Sequence, residues 1–149
     1  MTSPIDWLAL LHEILGEFSC QTGTVHRIAL DGSEHLTLVV QIGVPERLLE
    51  KISHIPFGKG IAGVAAATKQ PVELCNLQQD LGPAAMPDAR QTGVAGALAV
   101  AIFSPCGEQV IGTLGIGKYV PYGFTEEEKI HLAAHAKRLA GYFIHETLH

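Results

Sequence analysis

Three glycines in the stretch IPFGKGIAGVAAATKQPVELCN have the spacing of a dinucleotide-binding loop. Gly58, Gly60 and Gly63 read G-x-G-x-x-G, a pattern that lets the backbone approach a pyrophosphate at the start of a helix. Such a site also needs a buried strand directly before the first glycine and an acidic residue about 20 positions later for the ribose. The spacing alone is a weak signal, so the flanking residues decide.

The flanking residues argue against a dinucleotide site. A helix after the glycines fits the sequence, since residues 61–69 are rich in alanine and Pro71 would end the helix. The preceding strand is missing, because residues 45–52 have a helical pattern and Pro56 would interrupt a ladder. The short strand predicted after the helix is followed by Asn76 where a carboxylate is needed. We therefore interpret the three glycines as structural.

Histidines on the last predicted helix are a second candidate for chemistry. Residues that recur every three or four positions form one stripe: His131, His135, Arg138, Tyr142, His145 and His149. Two histidine pairs at i, i+4 could bind zinc or nickel. An arginine interrupts the stripe and no acidic or thiol ligand accompanies it, so a solvated or subunit-facing stripe is favoured over a metal site.

The three cysteines predict no redox or metal chemistry. Cys20, Cys75 and Cys106 are odd in number and lack C-x-x-C spacing, so neither a disulfide framework nor a zinc site follows. We expect all three to be buried packing residues, none of them catalytic.

Composition predicts a single domain over residues 1–149. A chain with 47% hydrophobic and 17% charged residues can bury a sizeable core. Its net charge of −5 argues against nucleic-acid and anionic membrane partners. The longest apolar run, residues 94–103, is about half of what a bilayer crossing requires. The amino terminus does not have the pattern of a signal peptide, so the expected location is the cytoplasm.

Helices are predicted at both ends of the chain, with strands between them. Ser3 and Pro4 predict the start of the first helix, and a T-x-x-E capping box from Thr125 to Glu128 predicts the start of the last. Between them we predict one hairpin from residues 22–30 and 36–42 and a second from residues 94–103 and 110–117. Two helices, at residues 45–52 and 61–69, and one short strand, at residues 72–75, lie between the hairpins.

The strand predicted at residues 94–103 has one bulky and one small face. The two faces alternate along it, with Val94, Leu98, Val100 and Ile102 on one side and Ala95, Ala97, Ala99 and Ala101 on the other. Its partner continues the small face with Thr113, Gly115 and Gly117. A small face permits either a closely docked helix or an open cavity. Dense packing favours the helix, and the cavity is the alternative.

Two segments of the chain resemble the GAF domains, which are cytosolic small-molecule sensors. One is IPFGKGIAGVAAATKQPVELCN and the other is EQVIGTLGIGKYVPYGFTEEE, and the resemblance runs from about residue 5 to about residue 145. It implies an α+β fold with a central antiparallel sheet, terminal helices on one face and a lid-covered pocket on the other, a layout similar to that of profilin. It also implies a non-catalytic sensory or regulatory domain for an unidentified small-molecule effector, with a possible downstream signalling domain or protein.

Other activities of proteins with this resemblance depend on residues that the chain lacks. Free methionine sulfoxide reductases look like this fold and have reactive cysteines at positions that correspond to Ala62 and to Met86 or Pro87. A small enzyme of this kind is therefore the disfavoured alternative. The signature of cyclic-nucleotide binding is absent, as is the bilin-binding cysteine and histidine pair between Asn76 and Gly93. The resemblance identifies no cofactor.

The segment between Asn76 and Gly93 is long enough to be a lid over a ligand. Candidate ligand-binding residues lie in this lid, beside it or on the sheet: Phe57, Cys75, Asn76, Asp80, Arg90, Thr92 and Thr113. Arg90 is the only arginine or lysine between Lys69 and Lys118. Its guanidinium is the expected partner of an anionic effector, because it can hold a carboxylate or phosphate bidentately.

The first helix predicts a dimer. Its apolar residues cover a broad arc: Trp7, Leu8, Leu10, Leu11, Ile14, Leu15 and Phe18. This arc is wider than one sheet face would cover. We expect a homodimer through the terminal helices, because pairing about a twofold axis is the commonest way to bury such a surplus.

Overall fold

The computed structural model describes residues 5–29, 31–76 and 93–148, with side chains as far as residue 146. In chain order the described elements are α1 (Trp7–Phe18), β1 (Thr22–Ile28), β2 (His35–Ile42), a 3₁₀ turn (Glu46–Leu48), α2 (Leu49–Ser53), β3 (His54–Pro56), α3 (Gly60–Thr68), β4 (Val72–Leu74), β5 (Gly96–Phe103), β6 (Val110–Lys118) and α4 (Glu126–Leu148). No helix in these ranges is both long and apolar enough to cross a membrane.

The described strands form one antiparallel sheet in the order β3-β2-β1-β6-β5-β4. Both predicted hairpins, β1 with β2 and β5 with β6, are confirmed. The two hairpins join where β1 pairs with β6, so the small-faced strands lie in the middle of the sheet. The predicted α+β class and its central antiparallel sheet are confirmed.

The main core lies between the sheet and the two terminal helices. Bulky residues of the sheet contribute Val25, Leu98, Val100, Ile102, Leu114 and Ile116, and the helices contribute Leu11, Ile14, Leu15, Phe18, Leu132, Leu139 and Phe143. The prediction for Val94 was wrong, because β5 begins only at Gly96 and Val94 packs with Ala97 on the opposite side of the sheet.

Polar groups define both ends of α1. The helix begins at Trp7, where Asp6 Oδ1 accepts the backbone N–H of Ala9 at 3.0 Å. Asp6 is therefore the cap, and the predicted start at Ser3 and Pro4, which lie outside the described residues, was wrong. At the other end Lys118 Nζ donates to the carbonyl of Phe18 at 2.6 Å. A lysine there satisfies a terminal carbonyl and complements the helix dipole.

The predicted capping box at the start of α4 is confirmed. Glu128 Oε1 accepts the Thr125 N–H at 2.9 Å, and Thr125 Oγ1 accepts the Glu128 N–H at 3.0 Å. Glu73 of β4 also fixes this end, because its carboxylate accepts the Phe124 N–H at 2.6 Å and pairs with Lys129 Nζ at 3.0 Å. The helix start is thus tied to the edge of the sheet.

The histidine stripe of α4 faces α1 over much of its length. His135 Nε2 lies 2.7 Å from Glu17 Oε2, and Arg138 pairs with Glu13 at 3.7 Å. Tyr142 lies edge to face against Trp7, with 6.1 Å between ring centroids. The prediction of a solvated or subunit-facing stripe was therefore wrong for His135 and Tyr142, which are half-buried against α1, whereas His131 and Arg138 are exposed as predicted. Within the described residues no group of three or more His, Cys, Asp or Glu side chains could hold a metal ion.

The three glycines of the opening motif have the structural role that the sequence predicts. Gly58 and Gly60 have φ angles of +90° and +67°, which glycine adopts without strain. The N–H of Gly58 donates to the carbonyl of Gly63 at 2.8 Å, so it is already used within the protein. A Cβ at Gly63 would come within 2.6 Å of the Pro56 carbonyl oxygen, which shows how closely α3 approaches β3.

One detail of that prediction was wrong, because a strand does precede Gly58. It is the three-residue β3, which ends at Pro56 and pairs only with β2 at the edge of the sheet. Proline is tolerated there because an edge strand leaves one row of backbone groups unpaired.

Replacing Gly63 with alanine should destabilise the protein. The new Cβ meets a backbone oxygen that cannot move alone, so we expect a loss of about 1–3 kcal/mol in the free energy of unfolding, the usual cost of overpacking. Gly16→Ala is the matched control on α1, where a Cβ would meet nothing within 4 Å. That change should stabilise by about 0.5–1 kcal/mol, because alanine loses less backbone entropy than glycine. Urea unfolding of both variants measures the difference, and equal effects would contradict the close approach of α3.

Candidate functional site

The sheet face opposite the terminal helices is partly covered by α3 and partly open. Ala62 and Ala66 of α3 pack with Leu36, Ala101 and Val110 in a small second core. Toward the other end of the same face lies a cavity of about 300 Å³. Both alternatives for the small face of β5 and β6 therefore occur, the docked helix at one end and the cavity at the other.

Glycines of β6 form the cavity floor. A Cβ at Gly117 would lie 2.5 Å from Thr22 Oγ1 and 2.8 Å from a methyl group of Val94, and one at Gly115 would lie 3.2 Å from Thr24 Oγ1. Because these two positions have no side chain, the space above them is taken by threonine hydroxyls and by the cavity itself. Both threonines line the cavity.

The cavity wall comes from α2, β3 and the start of α3. Its apolar members are Val44, Ile52, Ile55, Pro56, Ile61 and Ala62, and Val94 and Ala97 join them near the start of β5. Lys51, His54 and Lys59 also line the cavity and are exposed. No aspartate or glutamate belongs to the described lining, although the whole chain has a net charge of −5. The described part of the lining thus includes the side chains of two lysines.

His26 lines the cavity from β1 and is 1% exposed. Its Nε2 lies 2.9 Å from the carbonyl oxygen of Ile52, so Nε2 donates and the ring is the Nε2–H tautomer. Burial lowers the pKa of His26, partly offset by the bond to Ile52. The ring is therefore neutral near pH 7, and its Nδ1 is an acceptor.

Two buried polar atoms beside this floor have no hydrogen-bond partner among the described residues. They are Nδ1 of His26 and Oγ1 of Thr113, and the two residues are directly paired between β1 and β6. Buried polar atoms without partners are rare in folded proteins because each costs free energy. Both atoms are closed off from water, so they lie in the interior of the sheet and are not open to the cavity.

None of the predicted site residues that the structure describes lines the cavity. Thr113 lies on the sheet next to His26, but it does not line the cavity. Phe57 packs against the second core, and neither Cys75 nor Asn76 lines the cavity. Asp80, Arg90 and Thr92, together with Met86 and Pro87, lie outside the described residues.

The prediction that all three cysteines are buried was wrong. Cys75 and Cys106 are exposed, and Cys20 is half-buried. Burial raises the pKa of Cys20 to about 11. A hydrogen bond from Ser104 lowers the pKa of Cys106, which lies at the exposed turn between β5 and β6. None of the three lines the cavity within the described residues.

The sequence prediction missed His26, Thr22 and Thr24 as site residues. A signal for them was present, because these polar residues alternate along β1 and face the small residues of β6. Polar residues on the small side of a buried strand require partners, and that requirement marks a cavity floor.

The profile of the GAF domain family matches residues 2–140 of this chain. No curated protein sequence matches it. Among solved structures, the GAF domain of an Acinetobacter phosphoenolpyruvate-protein phosphotransferase is 16% identical, with a TM-score of 0.75 over 93% of this chain and 80% of that one. A domain of a putative two-component sensor histidine kinase from Sinorhizobium meliloti is also 16% identical, with a TM-score of 0.74 over 97% and 93%.

A similar structure is also found in an enzyme. The free methionine-R-sulfoxide reductase of Neisseria meningitidis is 22% identical, with a TM-score of 0.71 over 93% of this chain and 78% of that one. Identities this low establish a shared fold and do not separate the signalling domains from the reductase.

Acidification should destabilise the fold through His26. Its folded pKa lies below the ordinary value of 6.5, so below that pH the unfolded chain binds a proton that the native protein does not. The free energy of unfolding should therefore fall as the pH drops from 7 to 5, by up to about 1.4 kcal/mol per pH unit from this residue. Urea titrations across this range measure the slope.

Two glutamine variants test whether His26 causes this change of the free energy of unfolding with pH. His26→Gln retains an amide donor for the Ile52 carbonyl and removes the titrating group, so its slope should be smaller. His12→Gln changes an exposed residue of α1 and should keep the parent slope. An unaltered slope in His26→Gln would show that burial of this ring does not control the acid stability.

Proposed function

The chain belongs to the GAF domain family, and on that premise we propose that it is a non-catalytic sensory or regulatory domain whose cavity binds a small-molecule effector. The observation that carries this proposal is the cavity of about 300 Å³ on the small face of the sheet, which is lined mostly by apolar residues and has Thr22 and Thr24 among its few polar ones. A mostly apolar cavity with a small number of polar groups is the usual form of a small-molecule site.

A non-catalytic role is supported by what lines the cavity. Ala62, the described position where similar reductases have a reactive cysteine, is 7% exposed and belongs to the lining. An alanine there has no nucleophile, and none of the three cysteines belongs to the described lining. The competing proposal of a reductase is favoured by the similarity of the fold to free methionine-R-sulfoxide reductases such as the Neisseria enzyme.

We also propose that two copies pair through α1 and α4. The apolar surplus of α1 is smaller than its sequence suggests, because Trp7 packs against Tyr142 and Phe143 within one chain. Leu8 remains 49% exposed, and a groove of about 640 Å³ that includes Leu10 and Tyr142 runs between the two helices. The exposed Leu8 of a second copy is the apolar side chain that would enter this groove.

The family resemblance implies where the output goes. The domain would act in the cytoplasm and pass the state of its cavity to a downstream signalling domain or protein. The terminal helices are suited to this because they pack on the opposite face of the same strands that form the cavity floor.

A small molecule should co-purify with the native protein. Native mass spectrometry should show one reproducible additional mass, which Ala62→Leu should abolish by filling the cavity. Ala67→Leu is the matched control on the exposed side of α3 and should retain the mass. The proposal would be contradicted if the additional mass persists in Ala62→Leu. It would also be contradicted if the parent protein shows no additional mass.

If replacing all three cysteines with serine leaves the fold intact but removes a reductase activity of the parent, the enzyme alternative is correct.

The proposed dimer has its own measurement. Light scattering should give twice the chain mass of 15.9 kDa, and Leu8→Glu should shift the protein to the monomer because a charge would enter the apolar contact. Val120→Glu, at a residue 59% exposed between β6 and α4, is the control that should remain dimeric. A monomeric parent over a wide concentration range removes this proposal.

A further inference from the structure

The start of α3 forms part of the cavity wall and has no cap. Resting on the proposed function, we infer that the effector is a small carboxylic acid, bound as its anion, with an apolar body. Its carboxylate caps α3 by accepting the backbone N–H groups of Ile61 and Ala62, and the hydroxyl of Thr22 donates to the same group from the cavity floor.

The first turn of α3 lacks a hydrogen-bond acceptor. The first bond within the helix runs from the Gly63 N–H to the Lys59 carbonyl at 3.1 Å, so the N–H groups of Ile61 and Ala62 come before the helix's own ladder. Lys59 is at the cap position, with the extended φ of −116° and ψ of 134° that a cap needs, but its side chain makes no capping bond. A lysine has three donors and no acceptor. Among the described residues no acceptor for the two N–H groups is found.

This uncapped turn borders the cavity. Gly60, Ile61 and Ala62 all belong to the lining, and Ala62 is 7% exposed, so a molecule in the cavity can reach the start of the helix. Two successive donors at the positive end of a helix dipole favour a group with two negatively charged oxygens and disfavour a cation. A carboxylate is a compact group of this kind.

An independent polar group on the cavity floor also lacks a partner. Thr22 is 6% exposed and lines the cavity. Its hydroxyl has no hydrogen-bond partner among the described residues, and, unlike the hydroxyl of Thr113, it is not closed off from water. Because so little of Thr22 is exposed, the contents of the cavity must supply its partner.

The start of α3 and the Thr22 hydroxyl adjoin the same side chain. Ile61 packs against Val94, and a Cβ at Gly117 would lie 2.8 Å from a methyl group of Val94 and 2.5 Å from Thr22 Oγ1. One small group can therefore be shared by both. The rest of the lining is mostly apolar, and its volume of about 300 Å³ is at the small end of the range for ligand sites. The ligand body is accordingly apolar and short.

Two substitutions of Lys59 separate a helix cap from a lysine charge. Lys59→Ser removes the charge and supplies a hydroxyl that can accept the N–H of Ile61 or Ala62 and so compete with the ligand. Lys59→Met removes the same charge without a strong acceptor. We expect the serine variant to unfold at a higher urea concentration than the methionine variant and to bind the ligand about tenfold more weakly. Only a ligand that caps the helix predicts these opposite changes in stability and affinity.

Matched acids and amides supply the ligands for this test. Calorimetry with protein freed of co-purified material compares butyrate, hexanoate, benzoate and cyclohexanecarboxylate with the four corresponding amides. We expect at least one acid to bind the parent about tenfold or more tightly than its amide, because charge-assisted hydrogen bonds are the stronger ones. Thr22→Val should weaken that acid about tenfold. Thr24→Val is the matched control, since Thr24 also lines the cavity but lies over Gly115, and it should retain the affinity.

The outcomes separate this inference from the proposed function. Amides that bind as tightly as their acids overturn the inference while a ligand-binding cavity stands, and so does equal weakening in the serine and methionine variants or an unchanged affinity in Thr22→Val. If none of the acids binds, the co-purified molecule decides. A molecule without a carboxylate overturns the inference, whereas a carboxylate whose occupancy is lower in Lys59→Ser than in Lys59→Met supports it. If nothing binds and nothing co-purifies, both proposals fail.

Discussion

Adjacent residues of a β-strand point to opposite faces of the sheet, and in β5 and β6 this alternation separates bulky side chains from small ones. The bulky side must be buried, and α1 and α4 are the elements that bury it. The small side cannot fill its own space, because alanine and glycine have little or no side chain. A covered face and a partly open face are therefore consequences of one pattern.

How the open face is divided depends on how closely α3 can approach. Gly63 allows the helix to reach the carbonyl of Pro56, and the alanines of α3 then pack directly on Ala101. Space remains at the end where Gly115 and Gly117 face threonines. A larger residue at any of these positions would change the division, because protein interiors are packed at nearly crystalline density.

His26 connects this cavity to the rest of the molecule. Its ring bonds the last turn of α2 through the Ile52 carbonyl, and its strand lies between β2 and β6 in the middle of the sheet. The neighbouring strand residue Arg27 contacts the opposite face, where it pairs with Glu146 and lies 4.9 Å from the centroid of the Phe143 ring. His26 on the cavity side and Arg27 on the side of the terminal helices are thus consecutive residues of one strand.

Local patterns in the sequence determined the elements and their class. The capping box at Thr125, the two hairpins, the glycine-led helix and the two faces of β5 all follow from residues within a few positions of one another, and local geometry was enough to predict them. Two local predictions were wrong. The sequence predicted that α1 starts at Ser3, whereas Asp6 caps it, and it predicted no strand before Gly58, whereas an edge strand ends at Pro56.

Only the tertiary structure decided which residues share the site. The candidates chosen from the sequence were polar residues near the predicted lid, and of those described only Thr113 lies beside the cavity floor. The floor instead combines β1 with β6, which are separated by more than 80 positions in the chain, and its wall comes from α2 and β3. Whether His26 has a partner depends on the distance to Ile52 and on the register opposite Thr113. Such contacts depend on how distant segments pack, and a single sequence without that packing does not specify them.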